Sequence, residues 1–210
     1  AVQYGPPSIG GAINLITKQQ TDTSYMQINL GYGDFNTSKV IFEYNTGLFF
    51  NHFNSFFRFS YTDTDGYRNW SWANFNRYFL STTYNNNRHK ILLHMYGGPQ
   101  KDALTYSGLP KESQTDKILR KLNNSDGKGI EAFNQPHFDL SHIWKISDKI
   151  NLNTTLIYLT GYGYFDFDGS WATPDYLRLE ENMNTEIDDA LIRWDEVSEQ
   201  SIIRANVSKR

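Results

Sequence analysis

The sequence predicts an all-β protein, an antiparallel transmembrane β-barrel with about eight strands in this chain. Three observations lead to this prediction. Apolar and polar residues alternate with a period of two, short turns and long connections alternate along the chain, and the 210 residues contain no apolar run long enough for a membrane helix. A mean hydropathy of −0.61 does not oppose it, because a membrane barrel places its apolar residues at alternate positions.

The alternation marks eight candidate strands. In the first strand Met26, Ile28 and Leu30 share one face, and polar residues occupy the other. Phe79 and Leu80 are adjacent, so the fourth segment alternates less regularly, although aromatic and β-branched residues still dominate it. The eight segments are residues 25–32, 38–46, 53–62, 75–84, 89–96, 138–146, 150–160 and 201–207.

The connections between these segments differ in length at the two ends of the strands. At one end they are the compact residues 47–52, 85–87 and 147–149. At the other end they are residues 33–37, 63–74, 98–136 and 162–200, and all but the first are long. This asymmetry is typical of an outer-membrane barrel, whereas a soluble β-sandwich more often has modest connections throughout. Within the long connections, residues 111–122 and the acidic residues 179–194 suggest short helices.

Composition excludes several classes of function. The 20 basic and 23 acidic residues are well mixed and give a net charge of −3, so nothing favours a nucleic-acid partner. The absence of cysteine excludes disulfides, thiolate metal sites and thiol catalysis. The five histidines have no metal-site spacing along the chain and are interpreted as strand-surface residues, so no metal site is predicted.

The amino terminus carries a more specific signal. Residues 4–18 resemble the closing stretch of the plug domain of TonB-dependent outer-membrane receptors, in which a Tyr-Gly turn leads into a Gly-Gly-x-Ile-Asn-x-Ile-Thr-Lys strand. Residues 63–69 are similar to an Asp-Gly-Tyr-Arg element in the second extracellular loop of that family. Residues 96–100 with residues 108–110 resemble the start of the third loop in its iron-uptake members. The plug-end positions that match are Tyr4, Gly5, Gly10, Gly11, Ile13, Asn14 and Thr17.

The resemblance implies a fold and a division into domains. Receptors of this family enclose a plug within a barrel of about 22 strands. Residues 1–20 would then be the carboxyl-terminal end of the plug, and residues 21–210 the first part of the barrel, with extracellular loops near residues 63–74, 98–136 and 162–200. The earlier plug and its TonB-binding segment are expected to lie outside this chain. Interfacial aromatic belts would include Tyr32, Tyr61, Trp144 and Tyr158, and the inward wall would include Lys39, Glu43, Arg58, Arg77, Lys90 and Asp139.

The resemblance also implies a function. The family imports a scarce ligand across the outer membrane of Gram-negative bacteria, most often a ferric siderophore or a related iron complex. Its partners are TonB with the inner-membrane motor complex, the outer-membrane lipid and the small-molecule ligand. No enzymatic activity and no resident cofactor are expected, because the iron chelate is the transported ligand.

Aromatic residues of the predicted loops are the candidate ligand-binding residues. They could hold a ligand by stacking and charge, or they could simply pack the long loops together. The candidates are Tyr67, Arg68, Trp70, Trp72, Tyr162, Tyr164 and Trp171.

Two other classes remain open on the sequence. One is a small, closed, eight-stranded outer-membrane barrel that acts as a pore or adhesin. The other is an extracellular glycan-binding β-domain that uses the loop aromatics as sugar platforms. Neither explains residues 4–18, and the second does not explain the asymmetry of turns and loops.

Overall fold

A computed structural model describes residues 20–124 and 129–168, with side chains to residue 166, and the backbone of residues 186–187, 190–193 and 202–209. The fold is all-β, and every strand pairing is antiparallel within one 13-stranded sheet. The strands are β1 (Tyr25–Gly33), β2 (Thr37–Phe49), β3 (Phe53–Thr64), β4 (Ala73–Asn85), β5 (His89–Gly97), β6 (Gln100–Ala103), β7 (Ile130–Asn134), β8 (His137–Ser147), β9 (Ile150–Leu159), β10 (Gly161–Asp168), β11 (Glu186–Ile187), β12 (Ala190–Arg193) and β13 (Ile202–Lys209).

Several of these strands are segments of longer ones. Strand β4 pairs with β5 and β6 in one uninterrupted register, from Asn85 opposite Lys90 to Ala73 opposite Asp102. The Asn76 N–H donates to the Pro99 carbonyl (3.0 Å), so pairing continues through the short break. The pairs β5–β8 and β6–β7 share one register, as do β8–β9 and β7–β10. Residues 89–103, 130–147 and 150–168 therefore act as three long strands. The eight predicted strands are all present and pair in chain order, and β12 and β11 extend the sheet beyond β13.

The long connections are shorter than the sequence indicates. Strands β6 and β7 lie within residues 98–136, and β10 to β12 lie within residues 162–200. The sequence of β6, Gln-Lys-Asp-Ala, shows no hydrophobic alternation, so only its pairing with β4 and β7 reveals it as a strand. Strand β11 pairs with β12, and β12 with β13.

Both helix predictions are wrong. Residues 111–122 form two 3₁₀ turns, Lys111–Gln114 and Leu119–Lys121. Asp116 accepts the backbone N–H groups of Ile118 (2.7 Å) and Leu119 (2.9 Å), an Asx-type turn that competes with a continuous helix. These two hydrogen bonds lower the pKa of the Asp116 carboxyl. Residues 179–194 contain strands β11 and β12 instead of a helix. No described helix is long and apolar enough to cross a membrane.

One face of the sheet is apolar and exposed. The register places Met26 opposite Tyr44 and Tyr44 opposite Phe57, so the apolar positions of successive strands coincide. Leu30 is 76% exposed and Leu156 is 61% exposed. The exposed apolar residues of this outer face include Met26, Ile28, Leu30, Tyr32, Val40, Tyr44, Phe57, Phe59, Leu93, Leu140, Trp144, Ile146, Leu152, Leu156 and Tyr158.

The opposite face, here called the inner face, is mainly polar. Glu43, Asn45 and Ser81 lie on it and are at most 5% exposed, although Phe56 and Phe79 also pack together there. The predicted inward residues Lys39, Glu43, Arg58, Arg77, Lys90 and Asp139 all lie on this face by register. Burying polar groups while exposing large apolar ones is the reverse of the pattern in a water-soluble domain.

The sheet is open over the described residues. Strand β1 pairs with β2 and β11 pairs with β12, and no pairing joins these two ends. The exposed edge of β1 would be a hazard in water, because an unpaired apolar strand edge is a template for association.

Candidate functional site: the inner face of the sheet

Four residues that precede β1 cross the inner face. The amide Nδ2 of Asn45 donates to the Thr21 carbonyl (2.8 Å) and the Thr23 carbonyl (3.0 Å), and Asn54 Nδ2 donates to the Thr21 carbonyl (2.7 Å). Gln20 reaches β4, where its Nε2 donates to the Ser81 hydroxyl (2.8 Å). Segment 20–23 therefore approaches the first strand from the inner face, with hydrogen bonds to β2, β3 and β4.

An ion pair lies on the same face. Arg58 Nη1 is 2.7 Å from Glu43 Oε1, and these residues are directly opposite each other in the β2–β3 register. The Glu43 side chain is 7% exposed and that of Arg58 is 44% exposed, so the arginine neutralises a carboxylate that has been removed from water.

Further along the inner face, towards the long loops, lies a cavity of about 440 Å³. The rings of Tyr96 and His137 stack with centroids 4.7 Å apart and form one wall. Arg77 forms another: its Nη1 donates to the Gly98 carbonyl (2.9 Å), and its Nη2 donates to Gln100 Oε1. The remaining lining side chains are Tyr78, Glu131, Phe133 and Gln135.

Gly98 allows its own strand to approach β4 closely beside this cavity. Its φ of +137° is a conformation that residues with a Cβ rarely adopt. A Cβ at this position would also collide with the Asn76 carbonyl. The glycine lets β4 and the long strand 89–103 stay paired, while the Gly98 carbonyl turns towards Arg77.

Two carboxylates face each other at the rim of the cavity. Asp102 pairs with Glu131 in the β6–β7 register. Burial and the neighbouring Glu131 charge raise the pKa of Asp102, and the Arg77 charge partly opposes this. The cavity therefore offers a stacked aromatic pair, amide groups, a guanidinium and acidic groups at its rim, a combination that suits a polar ligand with a planar part.

The first group of predicted binding residues lies in the connection between β3 and β4 and contacts the next connection. Arg68 Nη1 donates to the Ser107 carbonyl (2.9 Å), and Trp70 Nε1 donates to the Gly129 carbonyl (3.3 Å). Trp72 packs edge-to-face against Trp70 at 6.1 Å. The Arg120 guanidinium lies over the Tyr67 ring, 5.7 Å from its centroid. These contacts hold the two loops together, while Tyr67 and Trp70 each keep about 40% of their surface exposed.

The second predicted group lies on the outer face. By register Tyr162 and Tyr164 continue the line of Tyr158, and they border a shallow groove of about 360 Å³ with Asn74 and Lys101. The structure therefore does not bring these tyrosines together with the inner cavity. Trp171 lies outside the described residues, as do the plug-end residues Tyr4, Gly5, Gly10, Gly11, Ile13, Asn14 and Thr17.

Sequence reasoning missed most residues of the inner cavity. It noted Arg77 as inward but not Tyr96, Gln100, Gln135 or His137 as candidates for binding. All four residues occupy inward positions near Gly98. Tyr96 lies on the inward side of the predicted strand 89–96, whereas Gln100 and Gln135 can be placed only when β6 and β7 are recognised as strands.

Among the described residues, no group of three or more histidine, aspartate or glutamate side chains is arranged to hold a metal ion. Comparison of the chain with protein-family models, with curated proteins and with solved structures finds no match.

Proposed function

We propose that this chain is part of a TonB-dependent outer-membrane receptor that imports a scarce ligand, a ferric siderophore or a related iron complex. One observation carries the proposal: the sheet exposes a continuous apolar face and keeps buried polar groups on the other face, where segment 20–23 also lies. A lipid-facing outside and a wet, polar inside account for both features.

Segment 20–23 supports a plug inside the barrel. It directly follows the residues that resemble a plug end, and it approaches β1 across the inner face. A linker between a plug and the first barrel strand has to take such a route. The open sheet fits one arc of a larger barrel better than a closed eight-stranded one.

The long strands support an extracellular site above the membrane. A tilted membrane strand needs about 9–11 residues, whereas residues 150–168 form one continuous strand. The additional length carries β6, β7 and β10 past the apolar outer-face residues of β5, β8 and β9, and the inner cavity lies where β5 and β8 meet β6 and β7. In this proposal Tyr96, Arg77 and His137 are part of the wall that an incoming ligand meets.

Uptake by the source bacterium under iron limitation tests the proposal. A strain that lacks the gene is expected to lose growth on at least one ferric chelate, and loss of TonB is expected to give the same defect. His137→Ala, in the cavity wall, should reduce uptake through the intact receptor. His52→Ala should not, because His52 lies in the short β2–β3 turn, with Nδ1 3.0 Å from the Asn85 carbonyl oxygen. Unchanged uptake of ferric siderophores, haem and cobalamin in the deletion strain would contradict the proposal.

A further inference from the structure

Two histidines meet on the outer face at the short-turn end of the sheet. His89 begins β5 opposite Trp144, and His142 lies in β8 opposite Ile91. His89 Nδ1 is 3.1 Å from His142 Nε2, and the two rings are 5.3 Å apart with an interplanar angle of 24°. Linear spacing does not indicate this pair, because 53 residues separate its members.

We propose that His89 and His142 form a binding site for one late first-row transition-metal ion of the Cu²⁺, Ni²⁺ or Zn²⁺ type. These ions favour neutral imidazole nitrogen. Two imidazole nitrogens at about 2.0–2.1 Å from one ion, at an angle near 90–110°, lie about 3 Å apart. The observed 3.1 Å between Nδ1 and Nε2 has this spacing, and on binding both rings turn about their side-chain bonds until the two nitrogens, which now share a hydrogen, point at a single ion.

The backbone positions of the two histidines are fixed before any ion arrives. The Trp144 indole stacks on the His89 ring with centroids 5.8 Å apart, and the backbone N–H of His89 donates to Asn86 Oδ1 (2.6 Å). Strand pairing fixes the backbone of His142 between Ile91 and Thr154. Both histidines are partly exposed, and His89 directly follows the short turn of residues 86–88, where water can reach the ion and complete its coordination. Such preorganisation lowers the cost of ordering ligands on binding.

The hydrogen that the two rings share has to move when an ion binds. Without metal, one neutral imidazole donates its ring hydrogen to the other nitrogen across the 3.1 Å contact. Metal binding moves that hydrogen to the far nitrogen of the same ring, so both imidazoles stay neutral and no net proton is released.

This site is separate from the inner cavity, because His89 and His142 lie on the opposite face of the sheet. The inference therefore does not depend on the proposed function. The backbone carbonyl of Arg88 accepts the Lys145 N–H (2.8 Å), which ties the adjoining turn to β8 beside the pair.

The test measures Cu²⁺ binding to the full-length protein in detergent micelles, by calorimetry and electron paramagnetic resonance at neutral pH. His89→Gln and His142→Gln keep polar side chains, and each should weaken binding by about tenfold or more. The double variant should be little weaker than either single variant, since one lost ligand already destroys the chelate. His52→Gln and His94→Gln are matched controls that should bind like the wild type.

A second measurement keeps both histidines and follows tryptophan fluorescence. Cu²⁺ should quench the fluorescence of Trp144, EDTA should restore it, and Trp144→Phe should lack this component of the quenching. The proposal would be overturned by equal Cu²⁺ affinity in the wild type and the double variant. It would equally be overturned if the wild-type spectrum of bound Cu²⁺ showed no nitrogen from two imidazoles.

Discussion

Arg58 Nη1 donates a 2.7 Å hydrogen bond to Glu43 Oε1, directly across the β2–β3 pair and on the inner face of the sheet. The carboxylate is almost fully buried, whereas the guanidinium is partly exposed. The inner face therefore holds a charged group away from water and matches it with an opposite charge on the neighbouring strand.

Arg58→Ala is expected to destabilise the fold more than removal of a neighbouring charge. It leaves Glu43 buried without its cation, and the partial exposure of Arg58 reduces the loss to about 1–3 kcal/mol, below that of a fully buried pair. Denaturant unfolding of the full-length protein in detergent measures the change. Lys39→Ala is the control on the same face and should have a much smaller effect. Equal losses for the two variants would refute the importance of this pair.

Asn45→Ala is expected to release segment 20–23 from the inner face. Asn45 is 0% exposed and donates to two carbonyl groups of this segment. Loss of these hydrogen bonds should cost about 1–2 kcal/mol, which corresponds to roughly five- to thirtyfold faster amide hydrogen exchange in the segment. Asn153→Ala, an exposed inward position on β9, should leave this exchange unchanged. Unaltered protection in Asn45→Ala would show that the segment is held by other contacts.

Gly98→Ala is expected to destabilise the pairing of β4 with the long strand 89–103. The new Cβ meets the Asn76 carbonyl, and the positive φ adds backbone strain of about 1–3 kcal/mol. The variant should also displace the Gly98 carbonyl from Arg77 and so alter the cavity. Gly33→Ala is the matched control, because a Cβ there meets nothing within 4 Å. Similar thermal stability of both variants would be inconsistent with the geometry at Gly98.

Asp102→Asn is expected to stabilise the fold near neutral pH and to have little effect in strong acid. A carboxyl whose pKa is raised on folding favours the fold while protonated, and this advantage disappears as pH rises through the ordinary and then the raised pKa. Asparagine removes the ionisation that burial and Glu131 disfavour. Thermal unfolding at pH 3 and pH 7 should therefore show a gain at pH 7 only. A gain of the same size at both values would point to packing instead of charge.

The first seven predicted strands could be recognised because most of them alternate apolar and polar residues. Each is also joined to at least one neighbour by a short turn. Strands β6 and β7 were not. Gln100 to Ala103 carry no apolar alternation, and β6 is recognised only by its pairing with β4 and β7, as β7 is by its pairing with β6 and β10. The candidate binding residues were hard to predict for the same reason, since strand pairing decides where their side chains lie. Tyr162 was chosen as a loop aromatic, yet the strand continues through it and turns it to the outer face. His89 and His142 meet only across strands, which linear spacing cannot show.

The central claim is that the apolar face of the sheet contacts lipid and the polar face contacts water. These 210 residues contain no cysteine, so single cysteines can be introduced and spin-labelled once any cysteine elsewhere in the full-length protein is replaced by serine. Labels at successive positions from residue 152 to residue 158, in the full-length protein in bilayers, report their access to oxygen and to a water-soluble nickel chelate. The account predicts high oxygen access at Leu152, Leu156 and Tyr158, and high nickel access at Asn153, Thr155 and Ile157. Equal nickel access at all positions would contradict it.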